Sequence, residues 1–465
     1  TTKGRFWSAN PEWPSKTESY ENGGNSLLLS FTEAIDASID QTLSKLDEGY
    51  QIDAFLWHQG ESDDKYAEDY YGNLKAVINH VRNHLTEKTG KDYSRLPFIF
   101  GSIPKENRNY RPLIESAMQR IAEEDSDVYL IDMSKGELQR DRTHFNEKSA
   151  EYLGNQMYKI LDRIVGYSKS DFRIAKYRGN KECAISYTFD DGLKEHYTTV
   201  APRFEELGFR GTFWVNGSKV NLDKDNISDK TRVTWAELRE MSDDGHEISN
   251  HGWVHMNFGR HTLDEIKRDV FINDGAIYAH TGKMPLTFCY PNNTKTAEGV
   301  MLVSENRVGT RLVQRSIGSK STSENLDVWV NNLLQAGDWG VGMTHGITYG
   351  YDHFTSADIF WEHLKKVKAQ ENKIWVGTFR EVSAYQKAWK SITYDILETD
   401  DGMLIIPHLT LDKELFNEPL TGVIDRAGIK NITVVQGDKE LQTQIFTDKV
   451  IFDFDPHGGA IEIII

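Results

Sequence analysis

The chain has 465 residues, and single domains typically run to roughly 100–200, so two or three domains are expected. Hydrophobic residues make up 38% and charged residues 27%, the balance of a globular protein, and no apolar run approaches the ~20 residues a membrane helix needs. A formal net charge of −17 repels phosphate backbones and anionic lipid surfaces. Nucleic acid and membrane insertion are therefore not expected, whereas a neutral sugar polymer meets no such penalty.

The first block runs to residue 168 and alternates helical and strand patterns. Residues 30–46 read as an amphipathic helix, with Phe31, Ala34, Ile35, Ile39, Leu43 and Leu46 on one face. Short apolar strands follow at 53–57, 96–100 and 128–133, separated by a helix over 70–85 and closed by another over 150–165. This order predicts an α/β domain with a parallel sheet covered by helices on both faces.

The second block, 171–390, carries seven short apolar runs: 183–189, 212–215, 247–250, 287–290, 309–313, 341–344 and 374–378. Helical stretches such as 263–280 and 356–370 lie between most of them, which predicts a small (β/α) barrel with polar residues gathered at the strand ends. The third block, 391–465, changes to short β patterns broken by Asp-Asp-Gly, Asn-Glu-Pro and His-Gly-Gly, and predicts a small antiparallel β module packed on the barrel. Only two cysteines occur, Cys183 and Cys289, each in a predicted strand, so neither a disulfide framework nor a cysteine zinc site is expected. The first residues, Thr1-Thr2-Lys3, hold no initiator Met and no signal peptide, the pattern expected of a processed or truncated product.

Three polar clusters fall at strand ends of the second block. Thr188-Phe189-Asp190-Asp191-Gly192 sets two carboxylates before a glycine turn; by itself it is equally a solvated turn, as Asp400-Asp401-Gly402 reads. His251 and His255 are four apart, and one helical turn would bring both imidazoles to one side. Two histidines and a carboxylate form a common set for catalytic zinc, leaving a position open for water. His345, between Thr344 and Gly346, follows a strand and should project at the same rim.

Together these motifs, in this order, resemble the polysaccharide deacetylase family (the NodB-homology domain, a carbohydrate esterase family) over nearly all of 171–390. The resemblance implies a distorted seven-stranded barrel, Asp190 as catalytic base, Asp191, His251 and His255 as metal ligands, and His345 as general acid. Zinc is the metal expected first, with cobalt or nickel also suited to such N/O ligands. Two departures stand out. Cys289, in Phe288-Cys289-Tyr290-Pro291, occupies the place where the family carries an arginine, for which Arg311 offers a substitute. The carboxylate that orients the acid histidine is not evident, Asp327 and Asp338 being the candidates.

In the first block, Trp57-His58-Gln59-Gly60-Glu61-Ser62 ends a strand and Asp141-Arg142-Thr143-His144 precedes the last helix. An Asp and a His three apart can orient and supply the base of a serine hydrolase, and Gln59 can donate to an oxyanion. These segments resemble the SGNH-hydrolase superfamily, in particular its carbohydrate acetylesterases, with His144 as base and Asp141 as its partner. No Gly-Gln-Ser-Asn-like motif for the nucleophile precedes Trp57; Ser8, Ser19 and Ser26 lie in other contexts. The SGNH-like domain is accordingly expected to be incomplete or inactive.

The expectation is thus a metal-dependent hydrolase acting on ester or linear amide bonds, removing acetyl groups from a polysaccharide or oligosaccharide, with O-acetylated xylan or a similar glycan favoured. The alternative is a carbohydrate-binding protein that keeps its metal site with little turnover. A polymeric substrate implies a secreted or periplasmic bacterial protein.

Overall fold

A computed structural model describes residues 27–166 and 170–465. The chain divides into two compact units, one ending at Lys169 and the other running from Ser170 to Ile465.

In the first unit, α1 (Leu27–Gln41) leads to β1 (Phe55–Trp57), α2 (Tyr70–Thr89), β2 (Phe98–Gly101), α3 (Pro112–Glu124), β3 (Val128–Ile131) and α4 (Glu147–Val165). The strands pair in parallel in the order β1-β2-β3. Phe98 and Phe100 point to the side where Leu28, Ile39, Leu74, Val77, Val81, Ile114 and Met118 of α1–α3 form a core. Leu153 of α4 packs against Gly101, whose side-chain direction is opposite, so helices cover both faces. The closing helix starts three residues before the predicted position, because the Asn146 side chain accepts the Ser149 N–H and caps it.

The second unit opens with β4 (Phe172–Ile174) and then winds β5 (Cys183–Asp190), α5 (Ala201–Glu206), β6 (Thr212–Val215), α6 (Trp235–Asp243), β7 (Glu247–Asn250), α7 (Leu263–Thr281), β8 (Thr287–Phe288), α8 (Ala297–Ser304), β9 (Gly309–Thr310), β10 (Arg315–Ser316), α9 (Ser323–Ala336), β11 (Trp339–Thr344), α10 (Ala357–Lys368), β12 (Ile374–Val376) and α11 (Phe379–Ser391). Strands β5–β12 form one parallel sheet in the order β10-β11-β5-β6-β7-β8-β9, with β12 also paired to β5. All seven predicted runs carry a strand, and the two-residue β10 is added. The sheet curls into a distorted barrel. Its outer face meets the helices through Ile185, Tyr187, Phe189, Phe204, Phe213, Phe360 and Leu364. At the N-terminal ends of the strands, buried Glu247 accepts from Thr212 Oγ1 at 2.8 Å and Arg380 N at 2.8 Å, tying β6, β7 and α11 together. The opposite ends carry the polar clusters.

Beyond α11, β13 (Thr393–Thr399), β14 (Gly402–His408), β15 (Leu420–Ile424), β16 (Thr433–Gln436), β17 (Lys439–Glu440), β18 (Thr443–Ile445), β19 (Val450–Phe454) and β20 (Ile461–Ile464) make two antiparallel sheets. Their orders are β13-β14-β20-β16-β17 and β18-β19-β15-β4. The second sheet thus borrows β4 from ahead of the barrel, with Val423 opposite Arg173. Tyr385 of α11 donates its hydroxyl proton to Ala175 O at 2.8 Å and accepts from Thr421 N at 3.2 Å, which joins barrel and sheets.

Candidate active site

Strand β5 alternates strictly. Cys183, Ile185, Tyr187 and Phe189 face the helices, so Ala184, Ser186, Thr188 and Asp190 face the barrel interior. Asp190 is therefore buried, and a buried carboxylate needs a partner. Arg311, just past β9, supplies it: Nη1 donates to Asp190 Oδ1 at 2.7 Å and to Thr188 Oγ1 at 2.8 Å, while Nη2 donates to Asp190 Oδ2 at 2.5 Å. Burial by itself would raise the Asp190 carboxyl, but the charge and hydrogen bonds of Arg311 overcome that and hold it at about 2. The Cys289 thiol lies 3.8 Å from Asp190 Oδ2. Cys289, just past β8, and Arg311, just past β9, thus sit against the same carboxylate.

Asp191 turns away from its neighbour because it adopts φ +77° and Gly192 φ +63°, so consecutive aspartates serve different places. Its carboxylate meets His251 Nε2 at 3.7 Å and His255 Nε2 at 3.8 Å. The one-turn helix expected over 251–255 is absent. β7 stops at Asn250, and Gly252 and His255 both take left-handed backbone conformations, at φ +76° and +61°, folding the segment into a loop. The two imidazoles still converge, 4.8 Å apart and nearly perpendicular. Non-glycine residues held at positive φ cost energy and cluster at functional sites; Asp191 and His255 are two of them.

The loop is fixed from behind. Asp269 of α7 accepts the N–H groups of Trp253 and Val254 at 2.9 and 2.8 Å. Asn250 Oδ1 accepts from Gly252 N at 2.7 Å and from Asn273 Nδ2 at 2.8 Å. His251 Nδ1 lies 2.8 Å from the Cys289 carbonyl, which can only accept, so Nδ1 carries the proton and Nε2 presents a lone pair towards Asp191.

One ligand atom each from Asp191, His251 and His255 lies within 4.8 Å of the others. Separations of 3.7 and 3.8 Å are too long for hydrogen bonds, and two imidazole nitrogens facing one carboxylate oxygen are a donor set that suits a divalent cation. The donor set fits the metal that the sequence implies.

His345 follows β11 at the same rim. Its carbonyl accepts from His196 Nε2 at 2.6 Å, its ring meets Tyr351 at 5.1 Å, and its Nδ1 makes no hydrogen bond among the described residues. Neither expected orienting carboxylate pairs with it: Asp327 binds Lys366 at 2.6 Å, and Asp338 lies 3.9 Å from Lys176. The charges of both Asp190 and Asp352 are felt at His345, and neither carboxylate hydrogen-bonds its ring among the described residues.

In the first unit, His144 Nδ1 and Asp141 Oδ2 are 2.6 Å apart on an exposed loop, where Asp141 also accepts from Thr143 N at 2.9 Å. The hydrogen bonds from His144 and these amides hold the Asp141 carboxyl far below the usual carboxylate range. His58 Nε2 binds Glu61 at 2.8 Å and its ring lies 4.7 Å from Phe145, so the two predicted segments do come together. Gln59 donates its amide to Asp63, which directs it into the 58–63 turn. Ser8, Ser19 and Ser26 lie outside the described residues.

Residues 177–308 match the family model described as polysaccharide deacetylase. Residues 17–162 match the model for carbohydrate esterase, sialic acid-specific acetylesterase. Among curated proteins, the peptidoglycan-N-acetylmuramic acid deacetylase PdaA of Bacillus subtilis (strain 168) is 29% identical over 202 residues, 43% of this chain. The match spans 62% of that relative's length. Similar solved structures include the peptidoglycan deacetylase PdaC from Bacillus subtilis, 23% identical with a TM-score of 0.34, covering 45% of this chain and 93% of that one. A family 4 acetyl xylan esterase from Clostridium thermocellum, in complex with a cobalt ion, is 20% identical with a TM-score of 0.32, covering 43% and 89%.

Proposed function

We propose that the second unit is a metal-dependent deacetylase of acetylated polysaccharide, with Asp191, His251 and His255 as metal ligands, Asp190 as base and His345 as acid. The observation that carries this reading is the convergence of a two-histidine, one-carboxylate set beside a second, arginine-paired carboxylate at one barrel rim. A divalent cation, zinc first and cobalt or nickel next, would polarise the acetyl carbonyl and acidify water when bound there.

The protein's own groups do the rest. Arg311 keeps Asp190 ionised at any physiological pH, so the carboxylate is ready to take the proton of the attacking water. Thr188 and Cys289 pack beside that ion pair and keep bulk water from screening it. His345, half exposed at the rim, is placed to give a proton to the departing amine or hydroxyl. In the first unit, Asp141 and His144 are paired as the orienter and base of an acetylesterase-type site would be, but no matching serine motif precedes Trp57, and that unit is read as incomplete or inactive. A polymeric substrate places the protein outside the cytoplasm, secreted or periplasmic.

The test is acetate release from acetylated xylan and from N-acetylated chitin oligomers, with and without chelator, alongside the metal content of the purified protein. Chelator-sensitive release, reduced about 10²–10⁴-fold by Asp190→Asn with metal retained, is expected. The preferred oligomer assigns ester or amide. Bound metal with no release from either would replace this reading with the carbohydrate-binding one.

A further inference from the structure

The segment after His345 holds an aromatic side chain with no structural employment. Tyr351 is 77% exposed, and its hydroxyl makes no hydrogen bond among the described residues. Its ring meets that of His345, at 5.1 Å between centroids and 83° between planes.

The backbone that carries it is fixed on both sides. On one side, buried Glu195 accepts from Ile347 N at 2.5 Å, Thr348 N at 3.1 Å and Thr348 Oγ1 at 2.6 Å. The Tyr349 hydroxyl accepts from Glu195 N at 3.2 Å and donates to Thr231 O at 3.1 Å. On the other side, Asp352 accepts from Ser316 Oγ at 2.6 Å and Ser319 N at 3.1 Å, and its carbonyl accepts the same amide at 3.2 Å. Asp352 is itself at φ +54°, a conformation that needs such support.

A loop this constrained, presenting one rigid ring to solvent beside the rim histidine, has paid its ordering cost before any ligand arrives. Tyrosine suits that use, offering a broad apolar face and a polar tip with only two rotatable bonds. The apolar C–H face of a pyranose is the complementary surface.

We propose that Tyr351 is the stacking platform of a sugar subsite, holding a pyranose ring of the polymer next to the acetylated unit. The proposal rests on the deacetylase reading for the identity of its ligand class. It makes the site one that favours oligomers over isolated acetyl esters.

The test compares wild-type protein with Tyr351→Ala and Tyr351→Trp. Binding of acetylated xylohexaose and of chitin hexamer is measured by calorimetry, and acetate release from the preferred hexamer is followed as KM and kcat. The exposed position lets both variants fold, which unchanged melting temperatures would document. Tyr351→Ala is expected to weaken hexamer binding and raise KM about tenfold, with a smaller change in kcat, and Tyr351→Trp to restore binding to within about twofold. Equal binding by Tyr351→Ala overturns the proposal. So does a fall in kcat alone that tryptophan does not rescue, since that would make Tyr351 a support for His345. If wild type binds neither hexamer, the subsite is likewise overturned. Chelator-sensitive release from 4-methylumbelliferyl acetate would in that case leave the deacetylase reading standing.

Discussion

Asp190 and Arg311 are both buried and share two hydrogen bonds, so neither has an adequate substitute in water or in a neighbour. Removing one partner of such a pair typically costs 3–5 kcal/mol, because the other charge stays buried and unpaired. Arg311→Gln is accordingly expected to lower the melting temperature by several degrees and to abolish most acetate release. Adding Asp190→Asn to it should recover stability but not activity, which thermal melts and rate assays on the three variants would check. At this scale the sequence was partly legible. The Asp-Asp-Gly stretch and the histidine pair name themselves by type and spacing. The partner of Asp190 does not, because Arg311 is 121 residues away and reaches it only when β9 lies next to β8. The anchoring of the loop after His345 was not legible either, because Ser316 and Ser319 hold Asp352 from a separate segment of the chain.

Among the elements, strands were the most readable. Cys183-Ala184-Ile185-Ser186-Tyr187-Thr188-Phe189-Asp190 alternates large and small residues with the two-residue period of a strand, and the structure puts a strand there. The segment 251–255 was misread because a spacing of four suits a helical turn as well as a loop that doubles back. Gly252 decides between them. A Cβ at this position would meet Asp269 Oδ2 at 2.5 Å, and φ is +76°. Gly252→Ala is therefore expected to displace His251 and His255 together and weaken metal binding about 10–100-fold, as measured by metal titration. The fold as a whole should survive, since β7 and α7 are packed independently of this residue.

Across the whole molecule, stability is tied to histidines that are buried uncharged. Burial holds His246 and His363 at about 4, against an ordinary value of 6.5. His246 Nδ1 accepts the Gly211 N–H at 3.0 Å, a bond that protonation there would break. The unfolded chain takes up protons below about pH 6.5 that the folded protein refuses until near pH 4. Folding stability is thus expected to be full above pH 6.5 and to fall steadily between pH 6.5 and 4. Melting curves at pH 7 and pH 5 would show it, and His363→Gln should flatten the slope. The two units, each matched by a family of acetyl-removing enzymes, share one chain without either match extending into the other.

The pairing of β4 with β15 bears on ancestry. One strand of the terminal sheets is encoded ahead of the barrel and the remainder behind it, so no single break in a gene could gain or shed those sheets whole. A descendant that lost everything after α11 would inherit an orphaned strand with an open edge. The barrel and its β sheets are in that sense heritable only together.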